Sequence, residues 1–171
     1  MPASARDAYE IAIITPTSES QSASFAPSSL RYGGAVPDRI FTPAEANSAL
    51  SEVRPVAERL VSVRQRMREL EHVQNELVTA IGGNGGGYAA SDLNAAQSEL
   101  AGLAEAAVAC VERLEELDVQ LKDIDLGLLD FPARRNGVEV LLCWHVGEDE
   151  VTAWHGLDEG FAGRKPIDWG E

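Results

Sequence analysis

Apolar residues in the middle of the chain recur at alternating spacings of three and four. From Leu50 the series runs through Val53, Ala57, Leu60, Val63, Met67, Leu70, Val73 and Leu77 to Ile81, with one slip. That period places a single oily stripe along a long helix. Its start is marked by Thr42-Pro43-Ala44-Glu45. Thr42 suits an N-cap, Pro43 the first helical position, and Glu45 the reciprocal partner of a capping box. Pro55 falls inside the pattern and predicts a bend between Ser51 and Arg54, because its nitrogen cannot bond the carbonyl four residues back.

A second series, Leu93, Ala96, Leu100, Leu103, Ala107, Cys110, Leu114, Leu117, Leu121 and Ile124, keeps the alternation without error. It predicts one unbroken rod over 93–124, starting near an N-cap at Ser91, with a narrow seam that must pack on another long helix. Between the two, Gly82-Gly83-Asn84-Gly85-Gly86-Gly87 cannot hold a helix. No strand pattern precedes this run and no Lys-Ser or Lys-Thr comes after it, so it reads as the hinge of a helical hairpin rather than a phosphate loop. Two antiparallel helices leave one side of the seam in water. A third surface, from the C-terminal unit or from a second chain, should cover it, and a homodimer forming a four-helix bundle is the expectation.

After Ile124 the period changes. Asp125-Leu126-Gly127 is expected to close the second helix and Phe131-Pro132 to turn the chain. Val138 to Val146 and Val151 to His155 read as two strands around Glu148-Asp149, with an irregular tail punctuated by Gly156, Gly160 and Gly163. The expected fold class is α+β: a long antiparallel helical hairpin over 41–126, with its Gly-rich loop at 82–90, then a small C-terminal β-hairpin cap and irregular tail over 127–171. Residues 1–40 are rich in Ser, Ala and Pro without either period and read as a disordered or loosely attached tail.

Composition narrows the function. The 171 residues carry a formal charge of −14, which repels phosphate backbones and acidic membrane surfaces, so neither nucleic acid nor membrane is an expected partner. No apolar run has the length of a membrane span. The two cysteines, Cys110 and Cys143, lie in differently patterned segments without CxxC spacing, which fits a reducing cytoplasm better than a disulfide framework.

Only 6% of residues are aromatic, yet two of the three Trp and two of the three His fall between Lys122 and Lys165. The candidate chemistry concentrates there. Cys143, Glu148 and His155 are candidate ligands for a transition metal such as zinc, with Asp130 a further donor. A two-residue turn at Glu148-Asp149 sets Cys143 opposite Trp154 and sends His155 to the other face; a three-residue loop sets Cys143 opposite His155. The bland alternative makes Cys143 a small buried hydrophobe and His155 a hydrogen-bonded core residue. Lys122, Asp130, Trp144, Trp154 and Arg164 form a second candidate set, an anion pocket with Lys122 and Arg164 as donors and a Trp as stacking wall. Its alternative is a salt-bridged corner in which Asp123 or Asp130 pairs with Arg164.

Weaker signals fall away. Glu69 and His72 make one Glu-x-x-His where di-iron bundles need two, and lie away from the seam. Glu112, Glu115 and Glu116 read as a solvated helix face. No nucleophile elbow, Ser-His-Asp order or dinucleotide fingerprint is present.

The blocks FTPAEAN at 41–47, KDIDLGLLDFPA at 122–133, GVEVLLCWHVGEDEV at 137–151 and WHGLDEGFAGRKP at 154–166 resemble domain-of-unknown-function family 2203 of prokaryotes. The resemblance covers about three quarters of the chain, from Phe41 to Pro166. It implies no activity. The expected function is a self-associating interaction or assembly module. The alternative is a small metal- or ligand-binding protein, enzymatic or not, with its site in the C-terminal cap.

Overall fold

A computed structural model describes residues 39–82 and 90–169, so the tail before Arg39 and most of the glycine run lie outside the described residues. Helix α1 spans Pro43–Gly82 and helix α2 spans Ala90–Glu116. The capping box closes as expected: the Glu45 carboxylate accepts the Thr42 N–H at 2.8 Å, and the Thr42 hydroxyl accepts the Glu45 N–H at 3.2 Å. α1 runs without interruption through Pro55, which lies on an exposed stretch where the unbonded Ser51 carbonyl can meet water. Salt bridges Glu52–Arg113 and Arg66–Glu99 pair rising numbers in α1 with falling numbers in α2, so the helices are antiparallel.

The unbroken rod expected over 93–124 is corrected. α2 stops at Glu116, and the chain reverses through Asp118, held at φ 59°. The Val119 N–H reaches the Leu114 carbonyl and the Asp118 N–H reaches that of Glu115, the paired bonds of a Schellman motif. Leu114 and Val119 are both buried and complete its usual apolar contact. Leu121 and Ile124, at helical spacing in the sequence, sit instead in and after strand β1, Gln120–Asp123.

The C-terminal half of the fold is larger than a hairpin. Strands β2 (Leu128–Arg135), β3 (Val138–His145), β4 (Ala153–Gly156) and β5 (Lys165–Pro166) join β1 in a five-stranded antiparallel sheet of order β1-β2-β3-β4-β5. Asp125-Leu126-Gly127 is the turn between β1 and β2, not a helix terminus. Phe131-Pro132 does not turn the chain but sits in the middle of β2. Proline is tolerated there because the Pro132 carbonyl accepts the Phe41 N–H at 2.7 Å, on the side away from β3. Carbonyl and amide of one strand residue face the same way, so the N–H that Pro132 lacks would not have bonded β3. Asn136 and Gly137, both at positive φ, make the tight turn into β3.

The inner face of the sheet, including Leu129, Phe131, Leu142 and the fully buried Trp144, packs on Phe41, Leu50, Val53, Leu60, Val111 and Leu114 in one core. Arg64 lies buried beside this core and reaches Asp125 in the β1–β2 turn at 3.3 Å, tying helix to sheet. No described helix is long and apolar enough to cross a membrane.

Candidate metal centre

The opposite face of the sheet is buried too, and it carries polar chemistry. Asp130 in β2 pairs with Cys143 in β3, and Cys143 pairs with Ala153 in β4. Side chains alternate along a strand, so His155, two residues beyond Ala153, shares the face of Cys143 and Asp130. Neither register expected for the β3–β4 pair occurs. The connection occupies residues 146–152, and the pairing sets Leu142, not Cys143, opposite Trp154. This third register brings thiol and imidazole to one face.

One oxygen of Asp130, the sulfur of Cys143 and one ring nitrogen of His155 lie within 4.8 Å of one another. All three residues are at most 3% exposed. Three neighbouring strands position them, a more rigid scaffold than loops. His155 Nδ1 lies 2.8 Å from the Gly156 carbonyl, which only accepts, so Nδ1 carries a proton. That bond turns Nε2 toward Asp130 Oδ1, at 3.2 Å. Histidines that ligate metals are oriented this way, one nitrogen donating to a carbonyl and the other facing the ion.

Burial pushes the Cys143 thiol up to about 12, and the neighbouring Asp130 charge adds to the shift, so without a cation it stays protonated at neutral pH. That argues against a free nucleophilic thiolate. A coordinated metal reverses the preference, because a ligating thiol loses its proton. For His155, burial alone pushes the pKa down, but hydrogen bonds to Asp130 and to the Gly156 carbonyl outweigh it and hold the value above the ordinary one.

Glu148, the third of the sequence-derived metal candidates, is not in this group. Its carboxylate is gripped by Arg164 Nη2 at 2.6 and 2.8 Å and accepts the His145 N–H at 3.0 Å. Arg164 also donates to the Cys143 carbonyl at 3.4 Å. The expected pairing of Arg164 with Asp123 or Asp130 is thereby replaced by Glu148, and Asp123 instead caps its own turn through the Asp125 and Leu126 amides.

The second candidate set is divided between the two faces of the sheet. Lys122 Nζ stands 3.9 Å from Asp130 Oδ2, on the polar face. Trp144 is fully buried on the inner face, where its indole N–H donates to the Glu148 carbonyl and Arg54 lies over its ring. Trp154 packs against the core side as well, edge-on to Trp169 at 5.3 Å with the Arg135 guanidinium 4.7 Å from its ring. Neither indole borders the face that holds Asp130. The open groove beside α1, near Asn47, Ser51, Arg54 and Glu150, is lined by none of the metal candidates. Glu69 and His72 face solvent, at 64% and 76% side-chain exposure.

The model of a family described as "Uncharacterized conserved protein (DUF2203)" matches residues 39–167. No curated protein and no solved structure matches the chain significantly.

Proposed function

Since the chain belongs to the DUF2203 family of uncharacterized conserved proteins, we propose its function from its own geometry: it binds one divalent transition-metal ion, of the zinc class, through Asp130, Cys143 and His155. The observation that carries this reading is the convergence of oxygen, sulfur and nitrogen donors from three strands within 4.8 Å. Ligands around a tetrahedral zinc ion are separated by about 3.3–3.8 Å, given bonds of roughly 2.0–2.3 Å, so only a small contraction is needed. Charge balance favours a divalent ion. Loss of the Cys143 thiol proton on coordination would set a thiolate beside the Asp130 carboxylate, and a divalent ion offsets both in a site where an unbalanced charge is costly. Three protein donors leave a fourth position for water or a small ligand, the pattern of reactive rather than purely structural zinc sites.

The test is native mass spectrometry and elemental analysis of the purified full chain after loading with Zn²⁺ and dialysis. One ion per chain is expected, lost in Cys143→Ala and His155→Ala. A wild-type chain that retains no metal, and whose thermal unfolding Zn²⁺ leaves unmoved, refutes the assignment.

A second reading, self-association through the helices, is supported by a separate observation. Beyond Leu70 none of the described α1 side chains is buried, and Val73 and Val78 are exposed there at 44% and 55%. Apolar residues at that end of α1 suit burial against a second copy. Light scattering should report a dimer that Val73→Glu with Val78→Glu dissociates; a monomeric wild-type chain at micromolar concentration excludes it.

A further inference from the structure

Asp130, Cys143 and His155 are at most 3% exposed, so an ion reaches them only if part of their cover moves. The sheet itself is held by continuous ladders and by the core. The segment after β4, which meets this side of the sheet at His145, Glu148 and the Cys143 carbonyl, is held differently. It comprises the turn at 157–160, the 3₁₀ turn Phe161–Gly163 and Arg164. The Glu159 carboxylate closes it into a loop by accepting the Gly156 N–H at 2.8 Å and pairing with Lys165 at 2.7 Å. Gly163 lies so close to Glu159 that a Cβ there would approach the Glu159 Cβ to 2.4 Å. Phe161 rests on His145, with ring centroids 6.0 Å apart.

Little apolar burial supports this strap. None of Phe161–Gly163 is buried, and Leu157 and Phe161 are 57% and 46% exposed. Its firmest tie to the polar face is polar, the Arg164 guanidinium on both Glu148 oxygens and on the carbonyl of Cys143 itself. That tie is incompletely satisfied, because Arg164 Nε is buried without a hydrogen-bond partner. Segments with few buried apolar contacts open at low free-energy cost, ahead of the ladders beneath them.

We propose that the strap over 157–164 is a gate on the Asp130–Cys143–His155 site, latched by the Arg164–Glu148 ion pair and opened to admit the metal ion. The gate rests on the metal-binding reading above. With the latch closed, the ligands are sequestered from solvent and from competing thiols. With it open, Cys143 and His155 are accessible while the strands keep them aligned, so the latch controls the rate of metal capture and release more than the final occupancy.

The experiment is stopped-flow binding of Co²⁺ to the full chain, followed by the thiolate-to-cobalt absorption band, in wild type, Arg164→Ala, Arg164→Lys and Glu148→Gln. Arg164→Ala and Glu148→Gln should bind and release Co²⁺ about tenfold faster, the order expected from losing a charge-assisted hydrogen bond, with unchanged stoichiometry. Arg164→Lys should fall between. Hydrogen exchange on the wild-type chain supplies a readout that needs no variant to fold: amides of 157–164 should exchange faster than those of β2 and β3 without metal, and slow when Zn²⁺ is bound. A wild-type chain that binds no Co²⁺ overturns the metal reading and the gate together. Wild-type binding at the same rate as both Arg164→Ala and Glu148→Gln, or strap amides protected equally with β3, overturns the gate alone.

Discussion

His155 Nε2 lies 3.2 Å from Asp130 Oδ1 while its Nδ1 lies 2.8 Å from the carbonyl of Gly156. Both ring nitrogens therefore face acceptors, an arrangement satisfied by the imidazolium in the metal-free protein and by a neutral, Nδ1-protonated ring once an ion displaces the Nε2 proton.

Removing the carboxylate exposes that dependence. Asp130→Asn leaves a buried His155 without its countercharge, which should lower its pKa and destabilise the metal-free fold by about 3 kcal/mol. The raised His155 pKa also sets a pH dependence. Its stabilising contribution is complete below the unfolded value near 6.5 and is lost as pH rises through the folded pKa. Chemical denaturation across that interval, with His155 titrated by NMR, checks both statements; a His155 pKa unmoved by Asp130→Asn contradicts them.

Metal affinity runs the other way with pH. Binding displaces the Cys143 thiol proton and any proton on His155 Nε2, so affinity for Zn²⁺ should rise with pH, with at least one proton released per ion near neutrality. Isothermal titration in buffers of different ionisation enthalpy counts them. Release of none would place the ion elsewhere.

The two thiols should react slowly in the folded protein. Cys143, pushed up to about 12, and Cys110, raised by burial, are both fully or nearly fully enclosed. A disulfide reagent at pH 8 should therefore react slowly with both in native protein, with Cys143 only through openings of the 157–164 strap, and rapidly with both after denaturation. The higher folded pKa of Cys143 also means that its stabilising contribution declines as pH rises above about 9 toward 12. Native labelling of Cys143 as fast as in the denatured chain would contradict this protection.

Two backbone positions carry opposite expectations. Gly127, at φ 58°, has Val146 and Val61 within 2.5 and 2.8 Å of where a Cβ would sit, so Gly127→Ala should cost about 3 kcal/mol through strain and overpacking together. Asp118, at φ 59° in the Schellman motif, has a Cβ that this conformation disfavours, so Asp118→Gly should stabilise by about 0.5 kcal/mol. Thermal unfolding of the two variants should shift in opposite directions.

Much of the helical layer is legible from residue order alone. Thr42, Pro43 and Glu45 act within four consecutive residues, and the seam from Leu50 to Leu70 and from Ala96 to Leu114 depends only on the helical period. The Asn136-Gly137 dipeptide carries a local hairpin signal as well, since both residues accept positive φ readily; it locates the end of β2 and leaves no room for a turn at Pro132. Cys143, His155 and Asp130 stand out as donor types within the segment where Trp and His are concentrated.

Tertiary structure decided the rest. Leu117, Leu121 and Ile124 continue the seven-residue repeat of α2, yet Val119 and Leu121 are buried at strand spacing, because pairing with β2 and the sheet core outweighed the helical continuation. Pro132 could join a strand only because Phe41, distant in sequence, sits on the side where its amide is missing. The pairing of Cys143 with Ala153 brought His155 to the face of Asp130; a shift of one residue would have sent it to the other. Short-range preferences choose helices, caps and tight turns from neighbouring residues, whereas strand register is settled by burial against the whole fold, and in this protein register makes the site.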